Sequence, residues 1–501
     1  MSETIKILQL GTEDWNQKYH LPSDISLEYV EVFEEKVKKQ YDLVFIDREL
    51  SFEEVKLLYP ATKAYTLYIT EDTPMNNEMS EYYLCRKGRR ISRQDVQIFL
   101  QTETRNFYSW HYGEKYKNYN LAIAQGFTGD VQWNGNYSVT ISGEYGKTFN
   151  QICYWRNNIP IDKGQELEFW LEYKKDPNVE IELSIIHFVR GSLSEVKQRW
   201  IFSEEQLQDV VTIDNAENYG PIFVSLLAKG SGKLEIIALH DRCGRRGYGT
   251  FLPGGERYVS SNREEVFVYF DPGDRKPPLN VYFSGYKTKQ GFEGYHMMRK
   301  MGSPFLLIAE PRLEGGCFYM GGKEYETIIP QIINKYIKEL NFTSDDVIMA
   351  GVSMGTFGAM YYGCDILPHA MLLGKPLASI GNVAGNERIN RPGGFATSLD
   401  VLNYVSSGTN EVAVENLNKK FWDKFDKADW SHSKFIVSYM IEDDYDSDAY
   451  NMLISHLKSE GVQVYGKGIH GRHNDDTNGI VRWFSSQFKK ILTEDFGRRF
   501  E

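Results

Sequence analysis

Three observations predict an α/β chain in three parts. Residues 1 to about 105 alternate short apolar runs with amphipathic segments, the pattern of a small parallel α/β domain. Residues from about 118 to 240 alternate apolar and polar positions between turns rich in Gly, Asn, Asp and Pro, as an antiparallel β-sandwich does. From about 250 onward strands and helices alternate again, which predicts a mostly parallel sheet covered on both faces. At 501 residues each part can bury its own core, and the domains are set at 1–110, 118–242 and 250–501.

In the first part strands are expected at Ile5–Leu10, Leu27–Phe33, Asp42–Ile46 and Ala64–Ile69, with a helix over Ser92–Leu100. Leu10-Gly11-Thr12-Glu13 lacks the further glycines of a phosphate loop and sets an acid where a phosphate would sit. Asp14 and Asp47 lie near strand ends, where they read as caps rather than an acidic cleft. No chemistry is assigned to this part. In the second part strands are expected at Tyr137–Ile141, Glu166–Tyr173, Val179–Phe188, Ile222–Ala228 and Lys233–Leu239. Trp133, Trp155, Trp170 and Trp200 could stack on sugars, but indoles in a small sandwich belong more often to the core.

A glycine-rich connector, Cys243–Gly255, leads into the third part. There the expected order is strands Val266–Phe270, Asn280–Ser284 and Pro304–Ala309, then a helix over Lys323–Leu340. The apolar, β-favouring run Val347–Ala350 follows and enters Gly351-Val352-Ser353-Met354-Gly355. Small residues at Gly355, Gly358 and Ala359 then recur at helical spacing, so the stretch reads as strand, sharp turn, helix. A serine on such a turn is lifted above the sheet edge, and its flanking glycines avoid collision with neighbouring backbone. Beyond it come a strand near Ala370–Gly374, a long irregular insertion over about 382–431 and the strand Lys434–Met440. A helix from about Ser447 to Glu460, the strand Val462–Tyr465 and a terminal helix from about Thr477 to Ile491 complete the chain.

In such a sheet the ligand site lies beyond the carboxyl ends of the strands. Ser353 is the candidate nucleophile there. A serine hydroxyl needs an imidazole to take its proton and a carboxylate to fix that imidazole's tautomer. Glu442, Asp443, Asp444 and Asp446 follow one strand, and His470 and His473 follow the last, which gives the order Ser, acid, His of α/β-hydrolases. His473 is preferred to His470 because it stands directly ahead of the terminal helix. Asp443 is the primary acid and Asp444 the reserve. Two oxyanion donors are expected, the Met354 N–H and one from the loop Ser284-Gly285-Tyr286, where Gly285 permits close approach. His470, His473, Asp475 and Asp476 offer a metal cluster as the alternative, but there is no H-E-x-x-H pattern and no metal is expected.

Composition excludes other classes. With 41% apolar and 25% charged residues the chain is globular rather than disordered. A net charge of -12 argues against nucleic acid as a partner, and the basic stretches Arg86–Arg90 and Arg242–Arg246 read as solvated loops. Five scattered cysteines without a C-x-x-C pair indicate neither a disulfide framework nor a cysteine zinc site, so a reducing cytoplasm fits best. No apolar stretch approaches the roughly 18 residues of a membrane span, and any membrane association is expected to be peripheral, through a partner.

The chain also resembles the hydrolase-like member of the accessory secretory proteins in the Gram-positive accessory Sec system. The likeness runs over Ile7–Trp15, His240–Gly255, Phe283–Tyr286, Gly291–Met298, Ala350–Gly363, Tyr439–Asp446 and Gly471–Asp475. It implies an α/β-hydrolase domain preceded by extra N-terminal domains, and a complex with two other accessory secretory proteins at the inner face of the membrane. It implies further partners in the accessory Sec translocase ATPase and the glycosylated serine-rich-repeat adhesins whose export the complex supports. The activity it implies is O-acetylation of N-acetylglucosamine on those adhesins, with Ser353 as nucleophile, His473 as base and the Asp443 position as acid. A simple serine esterase and a noncatalytic export scaffold are the alternatives. No nucleotide or coenzyme loop stands out, so no bound cofactor is expected and the acetyl donor stays unspecified. The insertion over about 382–431 is read either as a lid that excludes water, which favours transfer over hydrolysis, or as a docking surface.

Overall fold

The computed structural model describes residues 4–33, 40–108, 113–162, 164–192, 194–214, 220–457 and 461–500. Its strands fall into three sheets of mixed parallel and antiparallel character. The first, all parallel, runs in the spatial order Ile25–Val30, Ile5–Leu10, Leu43–Ile46, Leu67–Thr70, Arg89–Ile91. Its central strands are buried at every position except Lys6, which is why they read as largely apolar runs rather than as alternation. Asp14 caps the helix Trp15–Lys18 by accepting from Asn16 N–H, and the buried Asp47 accepts from the Trp15 indole at 2.8 Å. Both carboxylates serve the structure.

The second sheet is antiparallel, with ten strands and several register shifts along its ladders. The turns had predicted separate strands at Ile222–Ala228 and Lys233–Leu239, but these are one 24-residue strand, Gly220–Cys243. It pairs with residues 179–187 through its first half and with 167–175 through its second. Gly230 and Gly232, which look like turn residues, instead take φ values of 88° and 134° at an irregularity in the ladder. The sheet folds over one apolar core containing Trp155; Trp170 is also buried, Trp200 is half-buried and Trp133 is exposed. Arg257 and Arg263 flank the Trp170 ring at 4.3 and 3.9 Å from its centre, so that indole is a cation-packed anchor rather than a sugar platform.

The third sheet carries the candidate site. Its strands are β1 (Glu256–Val259), β2 (Glu265–Asp271), β3 (Leu279–Phe283), β4 (Phe305–Ala309), β5 (Val347–Val352), β6 (Ala370–Gly374), β7 (Lys434–Met440) and β8 (Gln463–Ile469). They lie in the order β1-β2-β4-β3-β5-β6-β7-β8, antiparallel at the β1/β2 and β2/β4 pairs and parallel from β4 onward. Alternation along β5 sends Val347 and Met349 into one core and Ile348 and Ala350 into the other. Helices α1 (Tyr295–Arg299) and α8 (Thr477–Glu494) cover one face, while α2 (Lys323–Leu340) and α3 (Met354–Ile366) cover the other.

The insertion between β6 and β7 is not irregular. It forms α4 (Ile380–Ile389), α5 (Thr397–Ser406) and α6 (Glu411–Phe425), packed on α3 through Phe421 and Phe357. Helix α7 (Ala449–His456) is shorter than predicted, and residues 458–460 of the predicted span lie outside the described residues. The basic stretches are not solvated loops either. Arg86, Arg242 and Arg245 are buried, and Arg245 donates to the carbonyls of Asn106 and Phe251, tying the first unit to the connector.

Candidate functional site

The site is built where β5 turns into α3. Ser353 ends the strand with φ 54° and ψ -124°, a conformation costly for a residue with a Cβ. Sequence makes the turn feasible at its two glycines. A Cβ on Gly351 would lie 2.3 Å from the Gly355 carbonyl, and one on Gly355 would lie 2.2 Å from the Phe283 oxygen of β3. The turn is held by Ser353 N–H donating to Gly374 O at 2.8 Å, and by Thr356 Oγ1 donating to Ser353 O at 2.6 Å.

Ser353 Oγ lies 2.8 Å from His473 Nε2, and His473 Nδ1 lies 2.7 Å from Asp443 Oδ2. A carboxylate only accepts, so Nδ1 carries the proton and Nε2 is left to accept from the Ser353 hydroxyl. The imidazole is 1% exposed. One face of it is covered by the Tyr445 ring, parallel within 3° at 4.3 Å between centres. Burial by itself would raise the Asp443 carboxyl. The hydrogen bond from His473, the electrostatic attraction of that ring and the N–H groups of Tyr445 and Asp446 outweigh it and hold the group below the usual carboxylate range.

The neighbouring acids separate by direction. Asp444 Oδ1 accepts only the backbone N–H of His473, at 3.1 Å, while its other oxygen sits 3.5 Å from Arg391. Asp446 is buried and accepts the N–H groups of Ala378 and Ser379, both at 2.8 Å. Glu442 pairs with His470, which is 85% exposed at its side chain. Asp475 binds Arg472 and Asp476 caps α8, so the four residues of the metal alternative do not converge. Among the described residues a different trio does cluster, Glu172, His240 and Glu265. There the cations of Arg242 and Arg257 already hold Glu265, which leaves no need for a metal.

The residues expected to serve the oxyanion differ in whether their N–H groups are engaged. The Gly285 N–H donates to the Glu293 carboxylate at 2.6 Å. Among the described residues no acceptor is found for the N–H of Met354, in the first turn of α3, or for that of Tyr286. Met354 and Tyr286 thus keep their N–H groups unengaged, while Gly285 lies close to the elbow, where a Cβ would stand 3.1 Å from Val352 O.

Three further residues had no signal in the sequence. Lys375 follows β6 with φ 54°, is buried, and donates through Nζ to His473 O at 2.7 Å and Thr477 Oγ1 at 2.9 Å. Phe395 and Arg391, from the α4–α5 connection, pack against the opposite face and edge of the site: Phe395 stacks on Tyr445 at 5.1 Å and meets Tyr286 edge-on, and Arg391 lies 3.9 Å over Tyr445. The arrangement can withdraw a proton from a serine oxygen, hold the charge of the imidazolium and offer two N–H groups to a developing oxyanion.

A family model described as the accessory Sec system GspB-transporter matches residues 5–498. The chain is 34% identical over its whole length to an accessory Sec system protein of Streptococcus gordonii, itself fully covered. It is 36% identical to an accessory Sec system protein of Staphylococcus aureus over 99% of this chain and 98% of that one. A chain of the Glycosylation Associate Protein complex from Streptococcus agalactiae superposes with a TM-score of 0.88 at 33% identity, over 99% of this chain and 100% of that chain. With its fold shared end to end and its sequence matched over nearly every residue, the chain belongs to the accessory Sec system GspB-transporter family.

Proposed function

We propose that the third unit is an α/β-hydrolase domain that works as a serine O-acetyltransferase, and that the chain both supports export of serine-rich-repeat adhesins and acetylates N-acetylglucosamine on them. The observation that carries the enzymatic part is the continuous relay from Ser353 Oγ through His473 to Asp443, at 2.8 and 2.7 Å. In this reading His473 Nε2 takes the Ser353 proton as Oγ attacks the acetyl carbonyl. The tetrahedral intermediate is held by the Met354 and Tyr286 N–H groups, and its collapse expels the donor's leaving group, which takes the proton from His473. The acceptor sugar hydroxyl then gives its proton to His473, attacks the acetyl ester and leaves acetylated, and the proton returns to Ser353. Transfer rather than hydrolysis is favoured by the helical insertion, whose Phe395 and Arg391 wall the site.

The export role rests on family membership, and the match to a chain of a multi-protein complex supports association with two other accessory secretory proteins. Within that assembly the chain would act in the cytoplasm, at the membrane's inner face, alongside the accessory Sec translocase ATPase. No helix among the described residues is long and apolar enough to cross a membrane, so membrane attachment would come through those partners.

The test has two arms. A fluorophosphonate probe is expected to label the wild type and not Ser353→Ala. Adhesin made with Ser353→Ala is expected to be exported but to lack acetyl on its glycans. Labelling that survives the substitution overturns the acyl-enzyme; free acetate with no acetylated N-acetylglucosamine leaves an esterase; loss of export in a folded variant joins the two roles.

A further inference from the structure

The loop from β3 to α1, residues 284–294, carries the Tyr286 N–H, and it is held from two directions. From within, Tyr319 Oη donates to Ser284 O at 2.6 Å, Gly285 N–H donates to the Glu293 carboxylate at 2.6 Å, and Glu293 N–H donates back to Ser284 Oγ at 3.1 Å. The Ser284–Gly285 peptide is thus fixed at both its carbonyl and its N–H. From outside, Gln290 is buried and bonded entirely to the antiparallel unit. Its N–H donates to Gly113 O at 2.8 Å, its Nε2 donates to Glu114 O at 2.6 Å and to His240 Nδ1 at 2.9 Å, and its Oε1 accepts from Arg242 Nε at 2.8 Å. His240 Nε2–H in turn donates to Glu172 at 2.8 Å, and Arg242 forms a two-pronged pair with Glu265. The backbone N–H and both side-chain amide atoms of Gln290 are thus occupied by strands of another unit.

We propose that Glu293 and Gln290 are positioning residues for the second oxyanion donor, so that this donor is the Tyr286 N–H and the antiparallel unit, through Gln290, sets where it points. This inference rests on the serine-enzyme reading and assigns the second unit a part in the chemistry. The physical reason is geometric. A donor helps only within a few tenths of an ångström of the oxyanion's position, and a loop of eleven residues does not hold that tolerance without anchors. A carboxylate beside a forming oxyanion is unfavourable unless it is engaged, and Glu293 is engaged by the Gly285 N–H, which its charge strengthens.

The experiment uses the full chain with p-nitrophenyl acetate as the probe substrate and an aryl boronic acid, which places an oxygen in the oxyanion site, as the probe ligand. Glu293→Ala and Gln290→Ala are expected to lower kcat by about 10- to 100-fold with KM moved less than about threefold, and to weaken boronate binding in parallel, since one donor is misplaced rather than removed. Glu293→Gln keeps an acceptor for the Gly285 N–H and is expected to restore kcat to within about threefold of the wild type. A purely structural role would lower the unfolding temperature without the kcat-to-boronate correlation. Should Gln290→Ala fail to fold, Glu293→Ala, at a half-buried site, carries the test. Wild-type kcat and boronate affinity in folded Glu293→Ala overturns the proposal while Ser353-dependent labelling leaves the serine reading intact; a wild type that no fluorophosphonate labels overturns both.

Discussion

Asp443 and Asp444 are adjacent, chemically identical and one residue apart in direction, and the structure gives them unequal tasks. Asp443 faces His473 Nδ1 from a buried position, whereas Asp444 reaches only the His473 backbone N–H and lies partly in solvent. Asp443→Asn would present an amide that forces the wrong imidazole tautomer, so acyl transfer is expected to fall by about 10³- to 10⁴-fold. Asp444→Asn is expected to change it by about tenfold or less, and steady-state turnover of an acetyl ester on the two variants separates them. The sign of the Asp443 shift adds a second check. Its carboxyl is held below the ordinary range, so it stays ionised where a free carboxylate begins to take up its proton, and the acid limb of kcat/KM is not expected to move when Asp444 is replaced. Neither distinction was legible in Glu442-Asp443-Asp444, because neighbouring residues at a strand end share composition and differ only in where the backbone aims them. The placement of Ser353 on a sharp turn and of His473 ahead of α8 was legible, since the glycines and that position constrain backbone that the sequence itself encodes.

At the scale of elements, what could be read depended on whether a local pattern owned its structure. Helix α2 and strands β6 and β7 begin and end where apolar spacing placed them, because each packs its own face on the sheet. The strand Gly220–Cys243 was divided in reading because glycines that look like turns are here carried inside a ladder by partners on both sides. The insertion was read as irregular because Gly381, Gly385, Gly393 and Gly394 dilute its apolar period, yet α4, α5 and α6 close on α3. The junction between β2 and the antiparallel unit shows the same dependence on partners. Glu265 is fully buried between Arg242 and Arg257, whose charges overcome burial and hold its carboxyl down to about 2. Removing that one charge leaves the buried Arg242 guanidinium facing the half-buried Arg257, whose remaining partner is the exposed Asp209. Glu265→Gln is therefore expected to destabilise the fold by about 3–5 kcal/mol, read by denaturant unfolding, and the double change Glu265→Gln with Arg242→Met to recover part of the loss.

Across the whole molecule two sets of carboxyls withdrawn from water carry opposite pH signatures, and together they bear on where the chain is most stable. Glu265 and Glu54 are held at about 2 despite burial, the first by Arg242 and Arg257 and the second by Arg48 and backbone N–H groups. Below about pH 4.5 their unfolded forms take up protons that the folded forms refuse, so this stabilisation is complete above that pH and is lost as the pH falls towards 2. Asp241 and Glu168 are pushed by burial up to about 7, and Asp400 up to about 6. Between about pH 4 and 7 the folded chain keeps protons that the unfolded chain has released, so stability declines as the pH rises through that window. The two slopes meet between about pH 4 and 4.5, and the net charge, -12 at pH 7, reaches zero a little above that window, at the sequence pI of about 5.5. The unfolding temperature is thus expected to peak between about pH 4 and 5 and to be lower at both pH 3 and pH 7.5. Asp241→Asn tests the cause rather than the curve: an uncharged side chain of the same shape has no proton to lose, so the decline between pH 5 and 7.5 is expected to become shallower while the acid side stays as it was. A variant whose neutral-side slope matches the wild type would mean that Asp241 is already ionised in the folded chain at pH 7, held by a partner that offsets its burial.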